Sequence, residues 1–246
     1  MSILDIRKLS VNHSGKQLLK NIVLQVPSGQ AVCILGKNGA GKSTLMRALT
    51  GFYPHFEGDA IVAGCSLRHH PRRKYMQGIG GIIETPALYD HLSVEENLRV
   101  VAQYYPKETG ITANRIQEVL VMVGLQDERQ KRVRALSQGK RQRLGLAIAI
   151  LHRPKVVLLD EPTSNLDPAF MQSWYALIRQ LKEKEQISFL INTHNFHEVE
   201  EVADSWVILK EGEIVFRSED PAAAQETDSP LPLSIKDIFL AVHQEA

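Results

Sequence analysis

The sequence predicts an α/β fold that combines a parallel-sheet core with an antiparallel β-subdomain and an inserted α-helical subdomain. Three observations lead to this prediction. Short apolar runs alternate with helical patterns between residues 156 and 216, which is typical of a parallel sheet covered by helices. Residues 1–30 alternate like antiparallel strands, whereas residues 90–145 carry helical spacing only.

The N-terminal part of the chain is predicted to form the antiparallel subdomain. Alternating apolar residues predict a first strand over Ile3–Leu9 and a second over Ile22–Val26, joined by a turn at Asn12–Lys16. A further strand is predicted over Ala60–Ala63. The basic segment Arg68–Lys74, which includes two histidines, is predicted to be a solvated loop, with a metal or nucleic-acid role as the less favoured alternative.

The helical subdomain is predicted to lie within residues 90–145. Ser93 followed by Glu96 forms a capping box, which satisfies two backbone N–H groups at the start of a helix. A second helix is predicted over Thr112–Val123. The remaining strands and helices are predicted over Gly80–Ile83, Val156–Leu159, Pro168–Lys184, Ile187–Asn192, Phe196–Ala203, Trp206–Leu209 and Ile214–Phe216.

Length and composition limit the range of functions. With 246 residues, 43% of them hydrophobic and 23% charged, the chain has the make-up of a globular protein with a substantial core. Its net charge of +1 argues against nucleic acid as a partner, and Cys33 and Cys65 are expected to be reduced, as in cytosolic proteins. No apolar run approaches the roughly 20 residues of a membrane span, and no signal-peptide pattern is present. We expect one domain over residues 1–218 and a short extension over 219–246 that begins as a loop and ends in a helix at Ile235–Val242.

A glycine-rich segment between a predicted strand and a predicted helix carries the clearest functional signal. It reads Gly-Lys-Asn-Gly-Ala-Gly-Lys-Ser-Thr over Gly36–Thr44 and matches the phosphate-binding loop pattern G-x-x-x-x-G-K-[ST]. The apolar strand Ala31–Leu35 precedes it, and helical spacing over Lys42–Thr50 follows it. Glycines let the backbone N–H groups approach a phosphate chain closely, and the start of a helix favours an anion.

This loop predicts a P-loop NTPase core that binds a nucleoside triphosphate together with Mg²⁺. Lys42 would supply a positive charge for the β- and γ-phosphates, and the Ser43 hydroxyl could ligate Mg²⁺. A chance glycine-rich turn is the alternative, which the agreement of strand, loop and helix disfavours. The predicted nucleotide-binding residues of the loop are Gly36, Lys37, Asn38, Gly39, Ala40, Gly41, Lys42, Ser43 and Thr44.

Two carboxylates follow the apolar strand Val156–Leu159. Asp160, the first acid after the strand, is predicted to hold the Mg²⁺ complex. Glu161 points the other way and could polarise the attacking water as a general base. An exposed acidic strand end is the alternative for both residues, and the phosphate-binding loop upstream disfavours it.

Three further segments resemble one protein family. Leu136–Arg143 reads Leu-Ser-Gln-Gly-Lys-Arg-Gln-Arg and is similar to the signature sequence of the ATPase subunits of ABC transporters. Ser164–Asp167 resembles the D-loop of that family, and His194 matches its switch histidine. The order and spacing of these segments match, so the resemblance covers the chain from Ile3 to Phe216.

The resemblance implies an ATP-hydrolysing subunit that forms a head-to-tail dimer, either homo- or heterodimeric, with two shared nucleotide sites. His194 would contact the γ-phosphate and Asp167 would link the two sites. The signature residues of one subunit would complete the site of the other, and these are Ser137, Gln138, Gly139 and Lys140. The expected partner is a transmembrane permease, which would hold the subunit at the inner, cytoplasmic face of the cell membrane.

Four residues depart from the family pattern. Gln138 replaces a glycine of the signature and Lys140 replaces its glutamine. Glu84 replaces the glutamine of the glutamine loop, where a carboxylate keeps an acceptor for Mg²⁺ or water but loses the amide donor. This change resembles exporters that protect the producers of lanthionine-containing peptides. His13 lies where an aromatic residue would stack on adenine, and a plain turn residue is the equally favoured alternative.

Two surfaces of the predicted fold suggest partners. The segment Glu84–Tyr105, with Leu88, Tyr89 and Leu92, corresponds to the surface on which a permease helix docks, although these residues could also belong to the core. A basic cluster flanks the signature and is expected to support triphosphate binding and solvation rather than nucleic-acid binding. Its members are Arg129, Lys131, Arg132, Arg134, Lys140, Arg141 and Arg143.

We therefore expect an ATPase subunit that powers a separate permease and exports a peptide, a lantibiotic or a hydrophobic drug-like compound. The alternative is a soluble, non-transport ABC ATPase that acts on the ribosome or on nucleic acid. The chain segment between Lys42 and Ser137 is short and has no heptads, which disfavours the DNA-repair relatives, where a long coiled coil separates the two motifs. The ribosome-acting relatives carry two nucleotide domains in one chain, whereas this chain has one. Intact Glu161 and His194 argue against a regulator without catalysis.

Overall fold

The computed structural model describes residues 1–106, 110–164, 166–219 and 234–244. These residues form two sheets and eight α-helices. The strands are β1 (Ser2–His13), β2 (Lys16–Pro27), β3 (Ala31–Leu35), β4 (Glu57–Val62), β5 (Cys65–Ser66), β6 (Ile79–Ile82), β7 (Val156–Asp160), β8 (Ser188–Thr193), β9 (Ser205–Lys210) and β10 (Glu213–Arg217). The helices are α1 (Lys42–Leu49), α2 (Arg72–Met76), α3 (Val94–Ala102), α4 (Ala113–Met122), α5 (Gln138–Ile150), α6 (Pro168–Glu185), α7 (Phe196–Val202) and α8 (Ile235–Gln244).

The two sheets confirm the predicted α/β class. The antiparallel sheet has the strand order β2-β1-β4-β5, and the larger sheet has the order β10-β9-β3-β8-β7-β6. In the larger sheet β3, β6, β7, β8 and β9 run parallel, and only the β9–β10 pair is antiparallel. The carboxyl ends of β3, β7 and β8 meet at one edge, which places the phosphate-binding loop, Glu161 and His194 side by side.

Two hydrophobic cores lie on opposite faces of the parallel sheet. Because successive residues of a strand point to opposite faces, Cys33 and Leu35 of β3 belong to the core under the helices, whereas Val32 and Ile34 face the antiparallel sheet. Strand β7 divides in the same way. Both strands are fully buried, which explains why they read as continuous apolar runs rather than as alternating ones.

The helical subdomain contains α3, α4 and the first part of α5. Its capping box is confirmed, since the Ser93 backbone N–H donates to Glu96 Oε2 at 2.7 Å and the Glu96 N–H donates to Ser93 Oγ at 3.2 Å. The predicted boundary at residue 145 falls inside α5, which continues to Ile150 because its C-terminal half is buried against β6. Helix α5 therefore belongs to both the subdomain and the core.

Ion pairs within the subdomain occupy much of the predicted basic cluster. Arg129 pairs with the buried Glu95, and hydrogen bonds from Arg129 lower the pKa of Glu95 to about 2. Glu128 accepts pairs from two members of the cluster, and Arg141 pairs with Asp90 at 2.7 Å. These contacts join α5 and the segment before it to α3 and its flanking residues, so these cations have a structural role within the subdomain. Their expected support of triphosphate binding stays a prediction.

The basic segment 68–74 differs from its prediction as a loop. It ends in α2, and Tyr75 of that helix is fully buried, so local packing gives the segment a helical turn. His70 Nδ1 accepts a hydrogen bond from the Ser66 N–H at 3.1 Å. Among the described residues, no group of three or more Asp, Glu, His or Cys side chains could hold a metal ion.

The C-terminal helix was predicted over residues 235–242, and α8 confirms it with an end at Gln244. Its Phe239 ring meets the Phe196 ring of α7 edge-on, with 5.2 Å between centroids. The loop predicted over residues 219–232 lies, apart from Glu219, outside the described residues. Within the described ranges, no helix is both long and apolar enough to cross a membrane.

Candidate nucleotide site

The phosphate-binding loop connects β3 to α1 and needs its glycines for two reasons. Gly41 adopts a left-handed conformation with φ of 107°, which a side chain would strain. A Cβ atom on Gly36 would lie 2.6 Å from the Leu209 carbonyl oxygen, so β9 packs directly against the loop. The Gly212 N–H also donates to the Ala40 carbonyl at 2.9 Å. The β9–β10 turn thus forms the rear wall of the loop.

A cavity of about 320 Å³ opens above this loop. Gly36 and Ala40 are buried beneath it, and the other seven predicted residues of the loop line it. Residues that follow β7 and β8 complete the wall, although the chain separates them from the loop by more than one hundred positions. The lining residues are Lys37, Asn38, Gly39, Gly41, Lys42, Ser43, Thr44, Glu161, Ser164 and His194.

Lys42 is held in the cavity by backbone carbonyls and one carboxylate. Its Nζ donates to the Gly36 carbonyl at 2.6 Å and to the Lys37 carbonyl at 3.5 Å, and it lies 3.4 Å from Glu161 Oε1. The side chain is only 6% exposed. A buried ammonium group that is held by two backbone carbonyls and one carboxylate can exchange them for the greater charge of a triphosphate.

Glu161 connects the loop to the His194 side of the cavity. Its Oε2 contacts His194 Nδ1 and also accepts a hydrogen bond from Ser164 Oγ at 3.1 Å. Its backbone N–H donates to the Asn192 carbonyl at 2.9 Å, and its φ of 51° turns the chain out of β7. The side chain is therefore placed between Lys42 and His194, where a terminal phosphate and its attacking water would lie.

Asp160 and Ser43 carry oxygen atoms of the kind that Mg²⁺ prefers, and of the two only Ser43 is among the described residues that line the cavity. Asp160 is 3% exposed, and Asn192 Nδ2 donates to its Oδ1 at 3.0 Å, which leaves Oδ2 for other partners. Mg²⁺ in triphosphate sites is usually held by one or two protein oxygens, with phosphates and water supplying the rest. A carboxylate and a hydroxyl are such a set.

Glu84 and His13 lie away from this cavity. Glu84 is an exposed residue that pairs with Arg47 of α1, and it is not among the described residues that line the cavity. Its role as a metal ligand stays a prediction. His13, at the end of β1, meets the Tyr53 ring edge-on at 5.8 Å between centroids and is likewise outside the described lining.

The signature residues lie at the start of α5, and none of the four lines the described cavity of its own chain. Ser137 is the N-cap of the helix, and its Oγ accepts a hydrogen bond from the Lys140 N–H at 3.4 Å. A Cβ on Gly139 would lie 2.4 Å from the Phe170 ring, so the glycine is required by packing inside the chain. The Lys140 side chain pairs with Glu128, and Gln138 is exposed.

Asp167, predicted to link two sites, is the N-cap of α6, where its Oδ1 accepts a hydrogen bond from the Phe170 N–H at 2.8 Å. Ser164, which opens the D-loop-like segment, and Asn192 were not predicted as site residues. The D-loop resemblance was the signal that could have identified Ser164. Asn192 carries only the weak signal of a polar residue near the end of a buried strand.

The chain is similar to known ATP-binding proteins over most of its length. A family model described as "ABC transporter" matches residues 19–164. The uncharacterised ABC transporter ATP-binding protein YdbJ of Bacillus subtilis (strain 168) is 40% identical over 213 residues, which cover 86% of this chain and 68% of YdbJ. The lantibiotic transport ATP-binding protein SrtF of Streptococcus pyogenes is 36% identical, with 88% of this chain and 91% of SrtF covered.

Two further proteins are similar to this chain. The bacitracin transport ATP-binding protein BcrA of Bacillus licheniformis is 34% identical, with 87% of this chain and 69% of BcrA covered. Among solved structures, cbiO1 of Clostridium perfringens, part of the ABC transporter complex cbiONQ, superposes with a TM-score of 0.79. It is 27% identical, and 88% of each chain is covered.

Proposed function

We propose a peptide-export function for this chain, which belongs to the ABC transporter family of ATP-binding proteins. The family hydrolyses ATP to power transport, and the chain is such an ATPase subunit of a transporter. The substrate proposed here is a lantibiotic or another peptide. Similarity to SrtF and BcrA, together with Glu84 at the glutamine-loop position, supports this class of substrate.

The single observation that carries the proposed mechanism is the connection from Lys42 through Glu161 to His194. We propose that the triphosphate of ATP enters the cavity and draws Lys42 towards its β- and γ-phosphates. Glu161 then loses its cationic neighbour and is free to accept a proton from the attacking water, while His194 contacts the γ-phosphate. A bound Mg²⁺ would neutralise phosphate charge, and Ser43 and Asp160 are the residues proposed to hold it.

The second half of the site is proposed to come from another subunit. Ser137 and Gly139 lie at the start of α5 and are not among the described residues that line the cavity of their own chain. The N-terminus of a helix of this length favours an anion. In a head-to-tail dimer, homo- or heterodimeric, the hydroxyl of Ser137 and the N–H groups beside Gly139 would face the γ-phosphate of the partner site. Asp167 would lie between the two sites.

A transmembrane permease is the proposed partner, and it would hold the chain at the inner face of the cell membrane. The proposed contact is the surface around α3. Tyr89 is 41% exposed and Tyr104 is 74% exposed, whereas Leu88 and Leu92 are half-buried. The Asn97 side chain holds the backbone of Tyr89 in place, because its Oδ1 accepts a hydrogen bond from the Tyr89 N–H and its Nδ2 donates one to the Tyr89 carbonyl. Large exposed aromatic side chains are typical of protein interfaces.

A membrane experiment tests the proposal. The chain is expressed with a candidate multi-span protein taken from the neighbouring open reading frames, and the cells are challenged with a lanthionine-containing peptide. We expect the peptide concentration that inhibits growth to rise several-fold. We expect Glu161→Gln to remove this protection while the protein remains in the membrane fraction. A Glu200→Gln variant, changed at an exposed carboxylate of α7, serves as the matched control. Intact sensitivity in the presence of both proteins would contradict peptide export.

The alternative, a soluble ATPase that acts on the ribosome or on nucleic acid, is tested in the same cells. Tagged Glu161→Gln protein is recovered in the presence of ATP, and the co-purified material is identified. We expect the multi-span protein in stoichiometric amount. Recovery of ribosomes or DNA in its place would favour the alternative, which the ion pairs formed by Arg129, Lys140 and Arg141 already weaken.

A further inference from the structure

A polar side chain lies inside a central strand of the parallel sheet. Asn192 of β8 is 0% exposed and follows Leu190 and Ile191, which are buried apolar residues. Its Oδ1 has no hydrogen-bond partner among the described residues. A buried carbonyl oxygen without a partner destabilises the fold. An apolar side chain would avoid this cost, so the amide of Asn192 calls for a functional explanation.

The amide nitrogen of Asn192 binds the last residue of β7. Its Nδ2 donates a hydrogen bond to Asp160 Oδ1 at 3.0 Å, and both side chains are buried. The two residues are paired directly across the parallel strands β7 and β8. The Asn192 carbonyl also accepts a hydrogen bond from the Glu161 N–H at 2.9 Å. Asn192 therefore contacts both consecutive acids, the first through its side chain and the second through its backbone.

The side chains of Asp160 and Asn192 point to the face of the sheet that α1 covers. Residues two positions apart on a strand point to the same face. Leu158 and Leu190, which precede Asp160 and Asn192 by two positions, belong to the core that also holds the buried apolar side chains of α1. Ser43, the other residue proposed to hold Mg²⁺, is the second residue of α1. The Asp160 carboxylate and Ser43 thus belong to the same side of the sheet.

We propose that Asn192 is a positioning residue whose amide holds Oδ1 of Asp160, so that the carboxylate presents its other oxygen to the Mg²⁺ bound with the nucleotide. This inference rests on the metal role proposed above for Asp160. Carboxylates that bind metals are themselves hydrogen-bonded, and removal of such an outer partner weakens metal affinity about 10–100-fold. A neutral amide orients the carboxylate without adding a charge that would repel the cation.

Two β-branched replacements isolate the hydrogen bond. Asn192→Val and Asn192→Thr have nearly the same shape and suit a buried strand, but only threonine carries a donor. Ser188→Ala is the matched control, because Ser188 is also a buried polar residue of β8 and lies at the other end of the strand. Its Oγ accepts a hydrogen bond from the Gly29 N–H at 2.8 Å. Asp160→Asn tests the proposed ligand itself.

Metal binding is measured directly rather than through hydrolysis. Mn²⁺, which takes the same oxygen ligands as Mg²⁺, is titrated into each full-length variant in the presence of a saturating, non-hydrolysable ATP analogue. Electron paramagnetic resonance reports the free Mn²⁺ and so gives the Kd for Mn²⁺. The Kd for the analogue in EDTA and the melting temperature are measured as well. A general loss of packing would change these last two values, whereas a misoriented Asp160 would change the Kd for Mn²⁺.

We expect the Kd for Mn²⁺ to rise at least about tenfold in Asn192→Val, with an unchanged Kd for the analogue in EDTA. Asn192→Thr should stay within about threefold of the wild type, because its hydroxyl can donate to Asp160 Oδ1. Ser188→Ala should lower the melting temperature and leave the Kd for Mn²⁺ unchanged. Asp160→Asn should raise the Kd for Mn²⁺ at least as much as Asn192→Val does.

An unchanged Kd for Mn²⁺ in Asn192→Val, together with a raised one in Asp160→Asn, would overturn this inference alone. Equal rises in the valine and threonine variants would also overturn it, since the hydrogen bond would then not be the cause. An equal rise in Ser188→Ala would do the same by pointing to a general effect of β8. If Asn192→Val does not fold, the comparison of Asn192→Ala with Asn192→Thr decides in its place. Failure of the proposed metal role is recognised separately, because Asp160→Asn would then leave the Kd for Mn²⁺ unchanged.

Discussion

The proposed nucleotide site includes two helix N-termini, and only the one at α1 lies beside other phosphate-binding groups of its own chain. Helix α1 begins after Gly41, has no side-chain cap, and opens into a cavity that also holds Lys42. Helix α5 begins after Ser137, whose hydroxyl accepts a hydrogen bond from a backbone N–H of its own helix. Its first residues are not among the described residues that line the cavity. Both ends carry the positive end of a helix dipole. The groups around a helix N-terminus, more than the N-terminus itself, therefore determine whether it can bind a phosphate.

Removing the cation of the α1 site is expected to have the largest effect. Lys42→Ala leaves the Gly36 and Lys37 carbonyls and the Glu161 carboxylate without their partner and removes the charge that attracts phosphate. We expect the Kd for ATP to rise roughly 100-fold or more, with no measurable hydrolysis. Titration with a fluorescent ATP analogue measures this change. Lys140→Ala, at the α5 site, should leave the Kd for ATP of the monomer unchanged, and an equal loss there would remove the distinction between the two sites.

Glu161→Gln separates binding from chemistry at the α1 site. The amide keeps a polar contact with His194 but cannot accept a proton from water, so kcat should fall by about 10²–10⁴-fold while ATP still binds. Size-exclusion chromatography with ATP should show a dimer, because bound nucleotide is not consumed. Near-normal hydrolysis by this variant would exclude Glu161 as the base.

Gly139→Ala tests whether the α5 site serves both packing and nucleotide. The added Cβ would meet the Phe170 ring at 2.4 Å, and we expect a loss of about 1–3 kcal/mol in the free energy of unfolding together with loss of hydrolysis. In the double variant Gly139→Ala/Phe170→Leu, stability should return while hydrolysis stays low. Chemical denaturation and ATPase assays measure the two effects. Recovery of both properties together would show that Gly139 acts through packing alone.

Glu84→Gln should have the smallest effect on stability and hydrolysis, because Glu84 lies at neither of the two helix N-termini. The Glu84–Arg47 pair is exposed, so its loss should change the free energy of unfolding by less than about 1 kcal/mol. Restoring the amide of the family pattern should preserve or raise hydrolysis. Steady-state ATPase assays over a range of Mg²⁺ concentrations measure it. Abolished activity would show that Glu84 has a role that the glutamine does not have.

The phosphate-binding loop could be predicted from the sequence because its geometry is local. Nine consecutive residues, with a strand before them and a helix after them, determine the positions of Gly36 and Lys42. The strands and helices of the core were also predictable, since their burial leaves continuous apolar runs or helical periodicity. The boundaries of subdomains were less predictable, since α5 continues past the predicted boundary at residue 145 to Ile150.

Contacts between distant segments could not be predicted in this way. Resemblance suggested that Glu161 and His194 share a site, but their direct contact depends on the parallel pairing of β7 with β8. The requirement for Gly139 comes from Phe170, which lies on another helix, and nothing in the sequence around the signature indicates it. The ion pair of Glu84 with Arg47 and the burial of Glu198 likewise depend on tertiary packing.

The rear wall of the phosphate-binding loop has a consequence for how the protein is made. The loop is synthesised early, but the Leu209 carbonyl that packs on Gly36 and the Gly212 N–H that binds the Ala40 carbonyl are synthesised some 170 residues later. Gly212 also accepts a hydrogen bond from the Lys20 N–H at 2.8 Å, which joins the antiparallel sheet to the same turn. A nascent chain can therefore complete the rear wall of this loop only after the β9–β10 hairpin has been synthesised.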